Sequence, residues 1–254
     1  MALPPQATTR RRRVTKPTTP SAASISTARI GGQTLAADCP QKPFPLRAAV
    51  FASGAGTNAE NIIATCRDLP EIKIALVVTN NPQAGVIARA ARHGIPCAVI
   101  PRPQNLPPRA AKAAQETLMR EALQAAGIDW LFLAGFMQLL SADFLADFYD
   151  TARGVNRVVN IHPSLLPDFA GKDSYERAFA AAKPVHGVTL HYVDNGMDTG
   201  PVIAQATYPR TPDMTFDAFC AAGQALEYNT YSAFIKKLAQ EHAQKPEAKK
   251  WAQA

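Results

Sequence analysis

The residues Ala48-Ala49-Val50-Phe51-Ala52 form an unbroken apolar run that stops at Ser53-Gly54-Ala55-Gly56-Thr57-Asn58. An apolar run with no polar alternation fits a strand buried on both faces, which is how the strands of a parallel sheet lie. Parallel strands need crossover connections and cover on both faces, so the chain is confined to an open α/β architecture. Ala59 to Arg67 then reads as a helix, with Asn58 or Thr57 as its cap. Strand, glycine loop and helix in that order aim backbone N–H groups at an anion, because a helix start leaves donors unpaired and carries partial positive charge.

The spacing Gly54-x-Gly56-x-x-Ala59 also matches a dinucleotide fingerprint. The second strand, Lys73 to Val78, ends in Thr79-Asn80-Asn81, where no carboxylate stands to hold a ribose hydroxyl. That favours a simple phosphate over a dinucleotide, and a purely structural turn stays open. Further on, Gln83 to His93 reads as a helix, Pro96 to Ile100 as a third strand and Arg109 to Ala126 as a long helix. Trp130-Leu131-Phe132-Leu133-Ala134 is a second doubly buried strand. It leads into the apolar loop Gly135-Phe136-Met137-Gln138-Leu139-Leu140, a suitable wall for a flat aromatic ligand as well as plain core. Ser174 to Ala182 and Thr215 to Leu238 read as helices. Gly187 to Val193 alternates as a half-polar strand, with Val202 to Tyr208 as its hairpin partner. The expected fold is therefore an open, mostly parallel twisted sheet with helices on both faces, Rossmann-like, with an antiparallel C-terminal hairpin.

The chemistry concentrates in Asn160-Ile161-His162-Pro163-Ser164-Leu165-Leu166-Pro167 and in Asp198-Thr199-Gly200-Pro201. Val158 to Ile161 reads as a β-branched strand, and Pro163 and Pro167 forbid an immediate helix. Asn160 and His162 then share one face of a strand at the carboxyl edge of the sheet, where open α/β folds bind ligands. A turn around Asp198 brings a carboxylate toward the imidazole. An amide, an imidazole and an acid, with no Ser or Cys nucleophile beside them, suit direct transfer of an acyl-type group between two bound substrates. Asp198 is expected to raise the His162 pKa. For His162 alone, a strand-end histidine bonded to backbone is the competing reading. His186 and His191 read as structural residues of the alternating strand, although His186 could border the site.

Of the net charge of +7, residues 1–37 hold +6 and no acid, which leaves the remainder nearly neutral. That distribution argues against a nucleic-acid partner, whose contact would need a basic stripe on the folded part. Residues 1–45 read as a disordered, basic, hydroxyl-rich leader, residues 46–240 as one domain and 241–254 as a charged tail. The leader is compatible with an organellar transit peptide; otherwise a cytoplasmic location is expected. No apolar run approaches the roughly 20 residues of a membrane helix, so no membrane partner is expected. Cys39, Cys66, Cys97 and Cys220 show no metal or redox spacing and read as reduced.

Ser-Gly-x-Gly-Thr-Asn, Ala-Gly-Phe-Met, Asn-Ile-His-Pro-Ser-Leu-Leu-Pro and Asp-x-Gly-Pro-Val-Ile follow one another over residues 47–238. In that order they resemble the glycinamide ribonucleotide transformylase family, the folate-dependent enzymes of purine synthesis. The resemblance implies that Gly56, Thr57 and Asn58 cradle the substrate phosphate and that Glu227 contacts the ribonucleotide. It further implies that Met137, Gln138, Leu139 and Leu140, with Arg109 and Asn160, bind 10-formyltetrahydrofolate. Asn160, His162 and Asp198 correspond to the catalytic trio. A small-molecule substrate pair, a monomer or weak homodimer, and no metal or covalent enzyme intermediate are implied. The sequence departs from the family at Gln138, where an Arg is familiar, at Thr151 to Asn156, which look inserted, and at Gly171 to Tyr175, which lack a His that some members show. A formate-releasing hydrolase of this family would carry a second His where Pro163 stands.

Overall fold

The computed structural model describes residues 45–244. The leader read over 1–45, apart from Pro45, and the tail after Gln244 lie outside the described residues, as does Cys39. In chain order the elements are β1 (Leu46–Phe51), α1 (Thr57–Arg67), β2 (Ile72–Thr79), α2 (Val86–Arg92), β3 (Cys97–Val99) and α3 (Pro108–Ala125). They continue with β4 (Trp130–Leu133), α4 (Ala142–Ala146), β5 (Tyr149–Asp150), β6 (Val155–Asn156) and β7 (Val158–His162). The last are α5 (Ser174–Ala180), β8 (Val185–Tyr192), β9 (Val202–Pro209) and α6 (Phe216–Ala243).

Seven strands form one sheet in the order β3-β2-β1-β4-β7-β8-β9. The first five run parallel, and β8 and β9 complete it as antiparallel neighbours. The double burial read from the apolar runs is visible residue by residue. In β1, Ala48 and Val50 pack into a core under α1 and α6, while Ala49 and Phe51 pack into a second core under α3 and α4. In β4, Trp130 and Phe132 join the first core, and Leu131 and Leu133 join the second. Helices on both faces are thus required by the side chains of every central strand.

Some boundaries differ from the sequence expectation for local reasons. The helix read from Gln83 begins only at Val86, because the Asn81 side chain accepts from Gln83 N at 2.9 Å and holds an Asx turn there. The Thr151 to Asn156 stretch is the turn and second strand of a separate two-stranded antiparallel sheet, β5–β6. Helix α6 runs past Leu238 to Ala243, with Leu238 and Ala239 buried. Among the described residues, Cys66, Cys97 and Cys220 are free thiols. Burial pushes the Cys66 thiol up to about 12, so it is inert packing.

Two features fix the sheet edge where loops gather. Tyr231 of α6 is fully buried, and its hydroxyl donates to Val159 O at 2.9 Å and to Leu133 O at 3.3 Å, tying the end of β4 and the second residue of β7 to one helix. Gly56 caps α1 at φ 78°, and a Cβ there would lie 2.6 Å from the Val86 Cβ, so α1 and α2 start against each other only because residue 56 has no side chain. Gly56→Ala combines left-handed strain with overpacking and should cost about 2–4 kcal/mol of unfolding free energy in urea titration; a change under about 0.5 kcal/mol would contradict this packing.

Candidate active site

Asn160 and His162 alternate onto one face of β7, and the antiparallel register with β8 sets His191 opposite Asn160 and Thr189 opposite His162. Thr189 is fully buried and locks the turn after His162: its hydroxyl donates to Ser164 O at 2.6 Å and accepts from Leu166 N at 3.0 Å. The prolines of this stretch prevent a helix, and Thr189 supplies the bonds a helix would otherwise have given.

Asp198 arrives on the loop between β8 and β9. Asp194 Oδ1 accepts from Gly196 N at 3.0 Å and from the Thr199 hydroxyl at 2.7 Å, which folds the loop back on itself. Gly200 lets the loop touch β8, since a Cβ there would lie 1.9 Å from Tyr192 O. Asp198 itself sits at φ 57°, a left-handed conformation that Asp tolerates better than most residues. Its Oδ2 accepts from Gly171 N at 2.8 Å and lies 3.3 Å from His162 Nδ1, and its Oδ1 lies 3.6 Å from His191 Nε2. The amide, imidazole and carboxylate expected from two distant segments therefore converge, with a second imidazole beside them.

The protonation pattern follows from the partners. His162 Nδ1 faces the Asp198 carboxylate, and Nε2 lies 3.0 Å from Phe169 O. Both neighbours are acceptors, so a ring protonated on both nitrogens satisfies both. Burial works the other way and holds the His162 pKa below its ordinary value, although Asp198 and the Phe169 carbonyl pull it up. The carboxylate acts in the direction expected of Asp198, and desolvation outweighs it. For Asp198, burial pushes up, and the neighbouring His191 and His162 rings with the Gly171 N–H pull further down, so the carboxylate stays ionised. His191 Nδ1 lies 2.9 Å from Tyr192 O and takes the donor role there. Its Nε2 lies 3.3 Å from Asn160 Nδ2, which sets the amide against this ring.

These groups open onto a cavity of about 530 Å³ lined on one side by Met137 to Leu140 and on another by Asn58 and Glu227. Met137 is 71% exposed and Leu139 48%, so the loop offers an uncovered apolar wall, while Leu140 is anchored in the core. Met137 N donates to the Ser53 hydroxyl at 2.9 Å, which ties this wall to the glycine loop. Glu227 is buried, and both its oxygens accept: from Tyr175 Oη at 2.5 Å and from Asn58 Nδ2 at 2.5 Å. Gln138 lines the cavity as well. Gly56 and Thr57 do not: Gly56 is buried against Val86, and the Thr57 hydroxyl accepts from Gln224 Nε2 at 3.2 Å. Arg109 stands exposed on the first turn of α3, away from the cavity lining.

His191 belongs to the site, contrary to its reading as a structural strand residue. Alternation correctly put it on a polar face; only the β7–β8 register shows that this face carries Asn160. Tyr175 was also missed, because nothing local marks a residue whose partner is 52 positions away. His186 does not border the cavity: its ring lies edge-on to Phe219 at 4.7 Å in a cluster with Phe169 and Tyr208. Among the described residues no group of three or more His, Cys, Asp or Glu is arranged to hold a metal ion.

A family described as formyl transferase matches residues 46–235. Over 191 residues the chain is 39% identical to a phosphoribosylglycinamide formyltransferase of Bacillus subtilis, which covers 75% of this chain and 93% of the relative. It is 36% identical over 190 residues to the enzyme of the same name from Haemophilus influenzae, covering 74% and 84% respectively. The crystal structure of glycinamide ribonucleotide transformylase 1 from Geobacillus kaustophilus superposes with a TM-score of 0.68 at 41% identity, covering 77% of this chain and 99% of that one.

The amide orientation yields a test. His191→Phe keeps an aromatic ring but removes the ring nitrogen that lies 3.3 Å from Asn160 Nδ2, so kcat for the reaction of this site should fall about tenfold or more while KM values stay within about threefold. Unchanged kcat would show that Asn160 does not depend on His191.

Proposed function

The chain belongs to the formyl transferase family, and on that premise we propose that it moves the formyl group of 10-formyltetrahydrofolate to the amine of 5'-phosphoribosylglycinamide, a step of purine biosynthesis. The observation that carries this reading is the meeting of Asn160, His162 and Asp198 beside one cavity, with an apolar wall on one side and an acceptor-rich polar corner on the other. An exposed wall of Met137 and Leu139 suits the flat pterin, and the Glu227 corner suits the hydroxyls of a ribose. The uncapped start of α1, where no side chain accepts from the first turn, leaves donors for the phosphate near Asn58.

In the reaction the free amine attacks the formyl carbon and negative charge develops on the formyl oxygen. An N–H of Asn160 and the Nε2–H of protonated His162 stabilise that oxyanion, each donor contributing about 3 kcal/mol. Nε2–H rests on the Phe169 carbonyl, so the formyl oxygen competes with that carbonyl for the proton. The new carbon–nitrogen bond to glycinamide forms as the bond to the folate nitrogen breaks, and the proton lost by the amine is the one the folate nitrogen gains. Asp198 favours the protonated ring and holds it by Nδ1, and a water on the carboxylate can pass the proton between the two nitrogens. Nothing is oxidised or reduced, and no enzyme group is covalently modified.

Incubation with 10-formyltetrahydrofolate, with and without the ribonucleotide, tests the reading by following loss of the formyl group. Turnover is expected only with both substrates. Loss of formyl without the ribonucleotide would mean a hydrolase, and no loss in either tube would remove the catalytic reading. Asn160→Ala should lower kcat by about 10²- to 10³-fold, the cost of one oxyanion donor. In Asp198→Asn the charge that favours the imidazolium is gone, so the His162 pKa falls further. Because the protonated ring is the active form, the basic limb of the kcat profile should move to lower pH; a limb that stays in place or moves up would contradict this role.

A further inference from the structure

Glu227 lies in the middle of the long helix α6, buried and, among the described residues, without a cation beside it: its partners are a phenol and an amide. Tyr175 reaches it from the second position of α5, and Asn58 from the first turn of α1. Each donates to a different carboxylate oxygen, both at 2.5 Å. Both oxygens are therefore held in place, and each keeps a further lone pair for a ligand in the cavity that all three residues line.

The path of Tyr175 to this carboxylate is built into α6. The phenol ring crosses the helix at Gly223, one turn before Glu227, where a Cβ would lie 2.6 Å from both the ring and its hydroxyl oxygen. It then rests edge-on against Phe219, one turn earlier still, with ring centroids 6.1 Å apart. Positions 219, 223 and 227 form one stripe of the helix at four-residue spacing, and each serves the same tyrosine: one stacks it, one makes room for it, one receives its proton. A glycine inside a 28-residue helix costs stability relative to alanine, and this contact gives that glycine a reason.

We infer that Tyr175 is a positioning residue for the ribonucleotide, acting through Glu227: it holds the carboxylate in the rotamer that accepts two hydroxyls of the substrate. The inference rests on the reading of this cavity as a formyltransferase site and extends it to a residue outside the catalytic trio. Burial and the adjacent Glu227 carboxylate push the Tyr175 hydroxyl well above the ordinary phenol value, so it acts as donor. Burial likewise pushes Glu227 up, and the Tyr175 and Asn58 hydrogen bonds pull against it. Without the phenol the carboxyl takes up a proton at higher pH and loses half of its anchoring.

The experiment measures KM for 5'-phosphoribosylglycinamide and for 10-formyltetrahydrofolate, with kcat, across the acid range in Tyr175→Phe, Gly223→Ala and Glu227→Gln. Tyr175→Phe keeps the ring on Phe219, and Gly223→Ala favours helix while crowding the phenol, so both should fold. In both, KM for the ribonucleotide should rise about tenfold, kcat and the folate KM should stay within about threefold, and the acid limb of kcat/KM should move to higher pH. Glu227→Gln should show the larger rise in the same KM and no such limb. A raised KM in Glu227→Gln beside unchanged values in Tyr175→Phe overturns the inference about Tyr175 alone. An unchanged KM in Glu227→Gln overturns the assignment of the ribonucleotide to this corner, and the inference with it. A loss in Tyr175→Phe that falls equally on kcat and on both KM values at every pH also overturns it, because that is the signature of general distortion.

Discussion

The Asp198 carboxylate is the point on which the site closes. It is brought in by a self-bonded loop, accepts from the backbone of Gly171, and lies within 3.3 Å of His162 and 3.6 Å of His191. Its ionisation is secured because several donors act together against burial. Remove that charge and His162 faces a backbone carbonyl with no compensating anion, His191 loses the group that shares its Nε2 side, and Gly171 loses its acceptor. The segment from Gly171 to Tyr175 is thereby coupled to the same carboxylate that faces the His162 ring. The surroundings of His162 and of Glu227 meet through these five consecutive residues.

A second coupling joins the walls of the cavity. Ser53 N donates to Gly135 O at 3.0 Å while its hydroxyl accepts from Met137 N at 2.9 Å and pairs with Asn80 Oδ1 at 2.6 Å. The loop after β1 and the loop after β4 are thus one hydrogen-bonded unit, as expected for neighbouring parallel strands whose carboxyl ends face the same cleft. Tyr231 repeats the device one layer deeper by bonding the last carbonyls of β4 and the middle of β7. The loops after β1 and β4 are thus bonded to each other, and the end of β4 is bonded in turn to α6.

The central sheet was legible because Ala48 to Ala52 and Trp130 to Ala134 permit one arrangement, burial on both faces, and the structure distributes their alternate side chains between two cores. The meeting of Asn160 and His162 at one sheet edge was legible because a strand fixes them on one face and proline stops the chain beside them. What lay beyond reach was register. Whether His191 faces Asn160 or misses it depends on which residue of β8 opposes position 160, and a shift of one would send it to the other face. Tyr175 was hidden for the same kind of reason, since its partner is set by how α5 packs on α6. Arg109 was placed by resemblance alone, with no local pattern to support it, and it stands apart from the cavity.

The two sides of the cavity differ in what they offer a ligand. Around Asn160 and His162 the site offers N–H donors of an amide and an imidazole, with the negative charge of Asp198 tucked behind the ring. Around Glu227 and Asn58 the free groups are acceptors: carboxylate lone pairs, and an Asn58 Oδ1 that is buried with no protein partner. A ligand that develops an oxyanion at one end and presents hydroxyl donors at the other is aligned by this polarity before any close fit is made. The reverse orientation would set lone pairs against Glu227 and leave its charge uncompensated in a desolvated corner, a cost of several kcal/mol at least. Direction of binding is therefore decided by the asymmetry of donors and acceptors, and the nearly neutral folded part needs no strong overall field to impose it.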